Sequence, residues 1–228
     1  MADRSEREIQ TYAAKNDAPD GWDAVESKTR YAVSAEQCMK KYCLLITSPR
    51  FSHHFPRGIL EMAGFLEHSG CPTALLPLGY YLAGIDLSQG FLPEHTALIE
   101  DILRDTLKET GARVVGISNS FTPDFPACVK ILELCKRIDG TLVTVIGGPH
   151  VTFMDAQSLS SPFVDIVVRG EGEWSMLDLL CALKNGTDLA SVEGITFRRH
   201  GRIVRNPDRA LGDLSEIPPI DFDLLPSD

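Results

Sequence analysis

The chain has 228 residues, 43% of them hydrophobic, which leaves room for one large domain with appendages or two small ones around a normal core. Its net charge of −10 argues against a nucleic-acid partner, because binding phosphate backbones needs clustered Lys and Arg. The nearest approach to a basic patch, Arg198, Arg199, Arg202, Arg205 and Arg209, falls in a predicted hairpin beside acidic segments and reads as solvated surface.

No stretch reaches the roughly 18–20 apolar residues of a membrane span, and the N-terminus MADRSEREIQ has no apolar signal region. Cys38, Cys43, Cys71, Cys128, Cys135 and Cys181 lack a disulfide-framework spacing, and several sit in apolar contexts where free cysteine is a small hydrophobe. A reducing cytoplasm is the expected location.

In chain order, residues 1–40 form a charged, helix-prone extension with a Pro-Asp-Gly break at 19–21. An α/β domain is predicted over 41–185. Its strands are short, near-continuously apolar runs at 42–47 (YCLLIT), 73–78 (TALLPL), 113–118 (RVVGIS), 142–146 (LVTVI) and 164–168 (VDIVV). Such runs mark strands buried on both faces of a parallel sheet. Amphipathic helices are predicted at 58–68, 94–109, 127–137 and 173–183, and only a short segment near 155–159 follows the fourth strand. The β-α repeat predicts a doubly wound, mainly parallel five-stranded sheet, Rossmann-like in class, with ligands at the carboxyl ends of its strands. Residues 186–228 follow as an appendage: a β-hairpin (GITFRRHGRIVRN) turning at His200-Gly201, then a proline-rich segment ending DLLPSD. That segment reads as a mobile linker toward a further domain.

Four loops rich in small residues line the predicted rim: 47–58 (TSPRFSHHFPRG), 118–126 (SNSFTPDFP), 147–152 (GGPHVT) and 169–174 (RGEGEW). Paired glycines after a buried strand let a ligand approach the backbone, although Gly-Gly-Pro equally fits a tight turn. Gly170-x-Gly172 imitates the start of a dinucleotide fingerprint, but Ser175 stands at the third glycine and the motif sits on the last strand-helix unit. Glu171 and Glu173 also occupy the helix N-terminus where a pyrophosphate would bind, so a helix capped by its own acids is the favoured reading. A phosphorelay receiver is excluded by Ser48-Pro49-Arg50 and Ser118-Asn119-Ser120 where acidic residues are required. A nucleophilic hydrolase would need Ser118 or Ser120 on an elbow, and Gly-x-Ser-x-Gly is absent.

The ordered set PRGILEMAGFLEHSG (56–70), VVGISNSFT (114–122), VIGGPHVT (145–152) and VDIVVRGEGEWSMLDLL (164–180), with GITFRRHGRIVRN and LSEIPPIDFDLLP behind it, resembles the N-terminal cobalamin-binding domains of cobalamin-dependent radical S-adenosylmethionine (SAM) enzymes. The resemblance covers about residues 42–226, and Gly-Gly-Pro-His with Gly-Glu-Gly-Glu is its strongest element. It implies a flavodoxin-like cobalamin-binding fold and a tail joining that domain to a radical SAM barrel. It further implies that cobalamin's corrin lies over the rim with its nucleotide tail inserted beside Gly147-Gly148 and Ser118 to Ser120, the cofactor-binding residues being Ser48, Pro49 and Arg50, Ser118, Asn119, Ser120, Phe121 and Thr122, Gly147, Gly148, Pro149 and His150, and Gly170, Glu171 and Gly172. No catalytic residue and no protein ligand to a metal is expected on this chain.

Two departures stand beside it. The loop after the first strand has Ser52-x-His54-x-x-Arg57 in place of Asp-x-His-x-x-Gly, so His53, His54 and His150 lack an orienting carboxylate and a base-off cobalamin without a histidine on cobalt is expected. The C-x-x-x-C-x-x-C motif is missing, so the [4Fe–4S] cluster and SAM belong to the absent domain. The implied function is a cobalamin-binding module that performs no chemistry alone. The whole enzyme would carry out methyl transfer, radical rearrangement or oxidative cyclisation of a magnesium-porphyrin ester. The rivals are a cofactor-free structural domain shaping substrate access and a free-standing α/β hydrolase or transferase.

Overall fold

Apolar runs of three to five residues settle as strands here because both of their faces meet helices. The computed structural model describes residues 41–49, 57–82, 85 and 91–225; the extension 1–40, Arg50, His53 and His54 lie outside them. The elements are β1 (Cys43–Ile46), α1 (Arg57–His68), β2 (Thr73–Leu76), α2 (Leu78–Tyr81), α3 (Pro93–Thr110), β3 (Val114–Ser118), α4 (Phe125–Ile138), β4 (Val143–Gly147), α5 (Pro149–Phe153), α6 (Asp155–Ser158), β5 (Ile166–Val168), α7 (Gly172–Asn185), β6 (Ile195–Arg199) and β7 (Arg202–Arg205). Each strand and helix predicted within 41–185 is present, with ends shifted by at most two residues. The short segment after the fourth strand resolves into α5 and α6.

The sheet order is β2-β1-β3-β4-β5-β6-β7, parallel from β2 to β5. The pleat divides the core in two. Leu44, Ile46, Val115, Ile117, Ile146 and Val167 pack against α3 and α4, whereas Leu45, Val114, Val143, Val145, Ile166 and Val168 pack against α1 and α7. The order 2-1-3-4-5 places the topological switch between β1 and β3.

The hairpin turns at His200-Gly201 as the sequence predicts, with φ of 48° and 70° matching a primed turn. It does not hang from the sheet as an appendage. β6 pairs antiparallel with β5 (Ile166 opposite Phe197, Val168 opposite Ile195), so the sheet has seven strands where five were expected. The reason lies in its composition: Ile195 and Phe197 are fully buried, and without them β5 would be an open edge. The arginines also do more than face solvent. Arg198 bonds the Leu159 carbonyl, Arg199 pairs with Asp188 at 3.1 Å, Arg205 meets Asp155 and Asp208 at 3.0 Å each, and Arg209 pairs with Asp178.

The residues after the hairpin are packed, against the expectation of a mobile linker. Gly212 lies flat on the Trp174 ring, where a Cβ would come within 2.7 Å. Trp174 in turn packs at a 58° tilt against Phe65, centroids 5.3 Å apart. Ile217 and Leu224 add to the α1/α7 layer, and the turn Phe222–Leu224 rests on α1. The segment thereby straps α7 to α1.

Arg169, 3% exposed, joins β5 to everything after it. Its guanidinium donates to Thr196 Oγ1, to the Asn206 carbonyl at 2.7 Å and to Asp208 at 2.8 Å. Burial alone would raise the Asp155 pKa; hydrogen bonds from Thr196, the Ala156 N–H and Arg205 outweigh it and hold that carboxyl below the usual range. Arg169→Met should therefore cost about 1–3 kcal/mol, the scale for leaving the buried Asn206 carbonyl and Thr196 hydroxyl without their donor, since the carboxylate of Asp208 is exposed and regains water. Urea denaturation measures this, and hydrogen exchange should rise first in Ile195–Arg205.

Candidate functional site

On the α1/α7 face the side chains of β3 and β4 shrink toward the carboxyl edge. β3 presents Val114, then Gly116, then Ser118; β4 presents Val143, then Val145, then Gly147. A cleft of about 360 Å³ occupies the space this frees. Leu45, Gly116 and Val145 form its floor, Ile59 and Met62 of α1 and Gly172, Glu173 and Met176 of α7 its walls, and Ser48, Ser118, Ser120, Gly147, Gly148 and Gly170 its rim. It spans β1 and β3, the switch point, where open α/β sheets receive ligands.

Several glycines are needed for close approach. A Cβ on Gly116 would stand 2.8 Å from Leu45 Cδ2, and one on Gly172 would stand 2.5 Å from Met62 Cε. Gly148 is bound more tightly: its φ is +108°, and a Cβ would lie 2.5 Å from the Asn119 carbonyl oxygen. Thr152 secures this rim by donating to the Gly148 carbonyl at 3.0 Å and accepting from the Gly170 N–H at 3.0 Å.

Two polar atoms enclosed in this cleft have no hydrogen-bond partner, Ser48 Oγ and Glu173 Oε2. Ser48 is 2% exposed and Glu173 8%. Burial pushes the Glu173 carboxyl above its ordinary pKa, and the nearby charges of Glu171 and Glu61 push the same way, against a lowering contribution from its backbone amide. The expectation that the helix is capped by its own acids is met only in part: Glu171, at the N-cap, makes no side-chain capping bond, whereas the Glu173 carboxyl accepts from its own backbone amide in the first turn.

Of the site residues expected from sequence, Ser48, Ser118, Ser120, Gly147, Gly148, Pro149, Gly170, Glu171 and Gly172 line this cleft together. Pro49 is buried beside it, outside the lining. Asn119 lies beneath Gly148; its N–H donates to the Gly147 carbonyl at 2.7 Å and its Nδ2 to the Phe121 carbonyl at 3.0 Å, so it shapes the loop from below. Phe121 is 58% exposed. Thr122 and His150 form a separate pair, Oγ1 to Nδ1 at 3.1 Å, with the imidazole against the Phe125 ring at 5.3 Å. Sequence reasoning missed Leu45, Met62, Gly116, Val145 and Met176, and saw Glu173 only as a cap. A glycine inside the apolar run VVGIS, two residues before Ser118, was the available signal.

The B12 binding domain family matches residues 44–180, more than half of the chain. The chain belongs to that family. This B12 binding domain is 32% identical over 159 residues to an uncharacterised methyltransferase of Pyrococcus horikoshii, a match covering 67% of this chain and 34% of that protein. It is 32% identical over 171 residues to the cytidylyl-2-hydroxyethylphosphonate methyltransferase of Streptomyces wedmorensis, covering 71% and 32%. It is 35% identical over 128 residues to the anaerobic magnesium-protoporphyrin IX monomethyl ester cyclase of Rubrivivax gelatinosus, covering 54% and 23%. The radical SAM methyltransferase TsrM from Kitasatospora setae, solved with cobalamin and a [4Fe-4S] cluster, shares the fold at a TM-score of 0.62 and 20% identity, over 77% of this chain and 30% of TsrM. The chain spans about a third or less of the length of these curated relatives.

Two outcomes follow from the geometry of this B12 binding domain. Gly148→Ala should lose at least about 1–3 kcal/mol from backbone strain alone, whereas Gly147→Ala, whose Cβ meets only ordinary contacts, should stay near wild type; chemical denaturation compares them. Glu173→Gln should raise the melting temperature at pH 7. A raised carboxyl pKa means that folded-state stability is lost as pH climbs from the unfolded value, about 4.3, through the folded one. The advantage of Gln should therefore vanish below that window, as melting curves across pH will reveal.

Proposed function

We propose that this B12 binding domain holds cobalamin at the carboxyl edge of its sheet, as the cofactor module of a longer radical SAM enzyme. The observation that carries this reading is the cleft at the switch point: its floor and wall are opened by Gly116 and Gly172, where a Cβ would crowd Leu45 or Met62, and its lining residues include a buried hydroxyl (Ser48 Oγ) and a buried carboxyl oxygen (Glu173 Oε2) without partners. Those features suit a long, flat-ended tail carrying its own hydrogen-bonding groups. Cobalamin, when bound, supplies a cobalt centre for methyl transfer or radical chemistry.

The residues divide the labour of holding it. Gly147 and Gly148 admit the tail against the backbone, Ser48, Ser118 and Ser120 offer hydroxyls, and Leu45, Val145 and Met176 exclude water from its end. The rim residues would hold the corrin, and a radical SAM barrel of the longer enzyme would carry the [4Fe–4S] cluster and SAM. Methyl transfer suits the two methyltransferase relatives and oxidative cyclisation the third. A cytoplasmic location accords with the five free cysteines among the described residues, and no described helix is long and apolar enough to cross a membrane.

No histidine lies among the described lining residues, and no carboxylate stands two residues before His53, His54 or His150 to orient an imidazole, so this reading takes cobalamin base-off without a histidine on cobalt. Mixing the purified chain with hydroxocobalamin should give a coloured 1:1 complex that survives gel filtration; a colourless protein peak would sink the proposal. Electron paramagnetic resonance of the Co(II) form should lack splitting by an axial nitrogen. Splitting that disappears in His53→Ala, His54→Ala or His150→Ala would refute the absence of a histidine ligand.

A further inference from the structure

Glu173 is the second residue of α7, one turn before Met176, whose Cε sits 3.6 Å from where a Cβ on Gly116 would be. The first turn of α7 is thus pressed onto the cleft wall, with Gly172 against Met62 of α1. Between these contacts the Glu173 carboxyl is more than nine-tenths buried, and its Oε2 meets no donor. The surroundings decide what it can receive. Glu171 and Glu61 add negative charge nearby, while Arg57 is exposed and already paired with Glu61 at 2.8 Å. An anionic ligand group is therefore repelled.

The Glu173 pKa is shifted upward by the same burial and the same neighbours, which favours the neutral acid. A neutral carboxyl in a desolvated wall offers an O–H donor, and its best complement is an uncharged acceptor that water cannot reach. The cleft beside it is floored by Leu45, Gly116 and Val145, an apolar surface that an aromatic ring can cover. A heteroaromatic nitrogen at the edge of such a ring meets both requirements.

We infer that Glu173 reads the end of the ligand's tail: its carboxyl donates a hydrogen bond to the basic ring nitrogen of an imidazole-type base, and so selects corrinoids that carry one. This rests on the reading that the tail enters the cleft, and it assigns Glu173 as the residue that distinguishes one tail from another. Ser48, the second unpartnered group, supplies a hydroxyl that either kind of tail can use.

The test measures affinity of the purified chain for three probes by equilibrium dialysis. Cobalamin carries a benzimidazole nitrogen, the p-cresol-tailed corrinoid has a ring without nitrogen, and cobinamide has no nucleotide tail. Wild type should bind cobalamin most tightly and cobinamide least. Glu173→Met, with Glu173→Ala as a smaller second variant should the thioether crowd the wall, should weaken cobalamin by roughly tenfold, the scale of one buried hydrogen bond. Neither variant should change binding of the p-cresol corrinoid, which also verifies that the variant is folded. Equal loss of both tailed corrinoids by a folded variant, or no loss of either, would overturn the assignment. Cobinamide binding wild type as tightly as cobalamin would instead overturn entry of the tail into the cleft, whatever the variants do.

Discussion

The pleat of β3 and β4 imposes the constraint on which the rest of the molecule depends. Residues two apart share a face, so Gly116 with Ser118 and Val145 with Gly147 remove bulk from a single side of a single end of the sheet. The opposite face keeps Val115, Ile117 and Ile146 and packs conventionally on α3 and α4. The amino-terminal half of the α1/α7 face is also ordinary core, through Cys43, Val114, Val143 and Ile166. One sheet thus serves as solid core over three of its quadrants and as a ligand cleft in the fourth. Because β1 and β3 are neighbours whose connections leave toward opposite faces, the missing bulk falls where no crossover covers the strand ends.

How much of this was legible in the sequence depends on which interactions are local. The strands and helices were, because continuous apolar runs and helical spacing are properties of adjacent residues. The rim was too, since Gly147-Gly148, Ser118 and Ser120, and Gly170 to Gly172 follow their strands directly. The hairpin's place in the sheet was not, because the charged run FRRHGRIVR hides the alternation that buries Ile195 and Phe197 while its arginines find partners as distant as Asp155 and Leu159. The strap was illegible for a similar reason: its decisive contact, Gly212 on Trp174, joins residues 38 apart in a stretch of low hydropathy. The partners of His150 were not legible, because a rim position does not reveal that its ring meets Phe125 and Thr122. The cleft walls were missed because Met62 and Met176 have the same apolar periodicity as core residues. Only the meeting of α1 and α7 shows that these two line a space.

The same meeting explains how a domain with a hollow quadrant remains stable. Removing side chains from β3 and β4 forfeits packing that each would otherwise contribute, and the buried Glu173 carboxyl and the Gly148 backbone add further cost. The compensation lies on the perimeter of that face. The hairpin closes the β5 edge, Arg169 ties β5 to the Asn206 and Asp208 segment, and the strap holds α7 to α1 through Trp174, Phe65 and Leu224. None of these fills the cleft; each fixes a wall. Walls fixed in this way pre-organise the cleft, so a ligand entering it need not order the protein around itself, and more of the contact energy remains as affinity. Arg169 makes the link explicit in the chain, because it directly precedes Gly170. The residue that anchors the hairpin is thus adjacent to the loop that forms one side of the rim. Perimeter stability and site geometry are therefore joined through a single peptide bond, and loosening the hairpin would also loosen the rim.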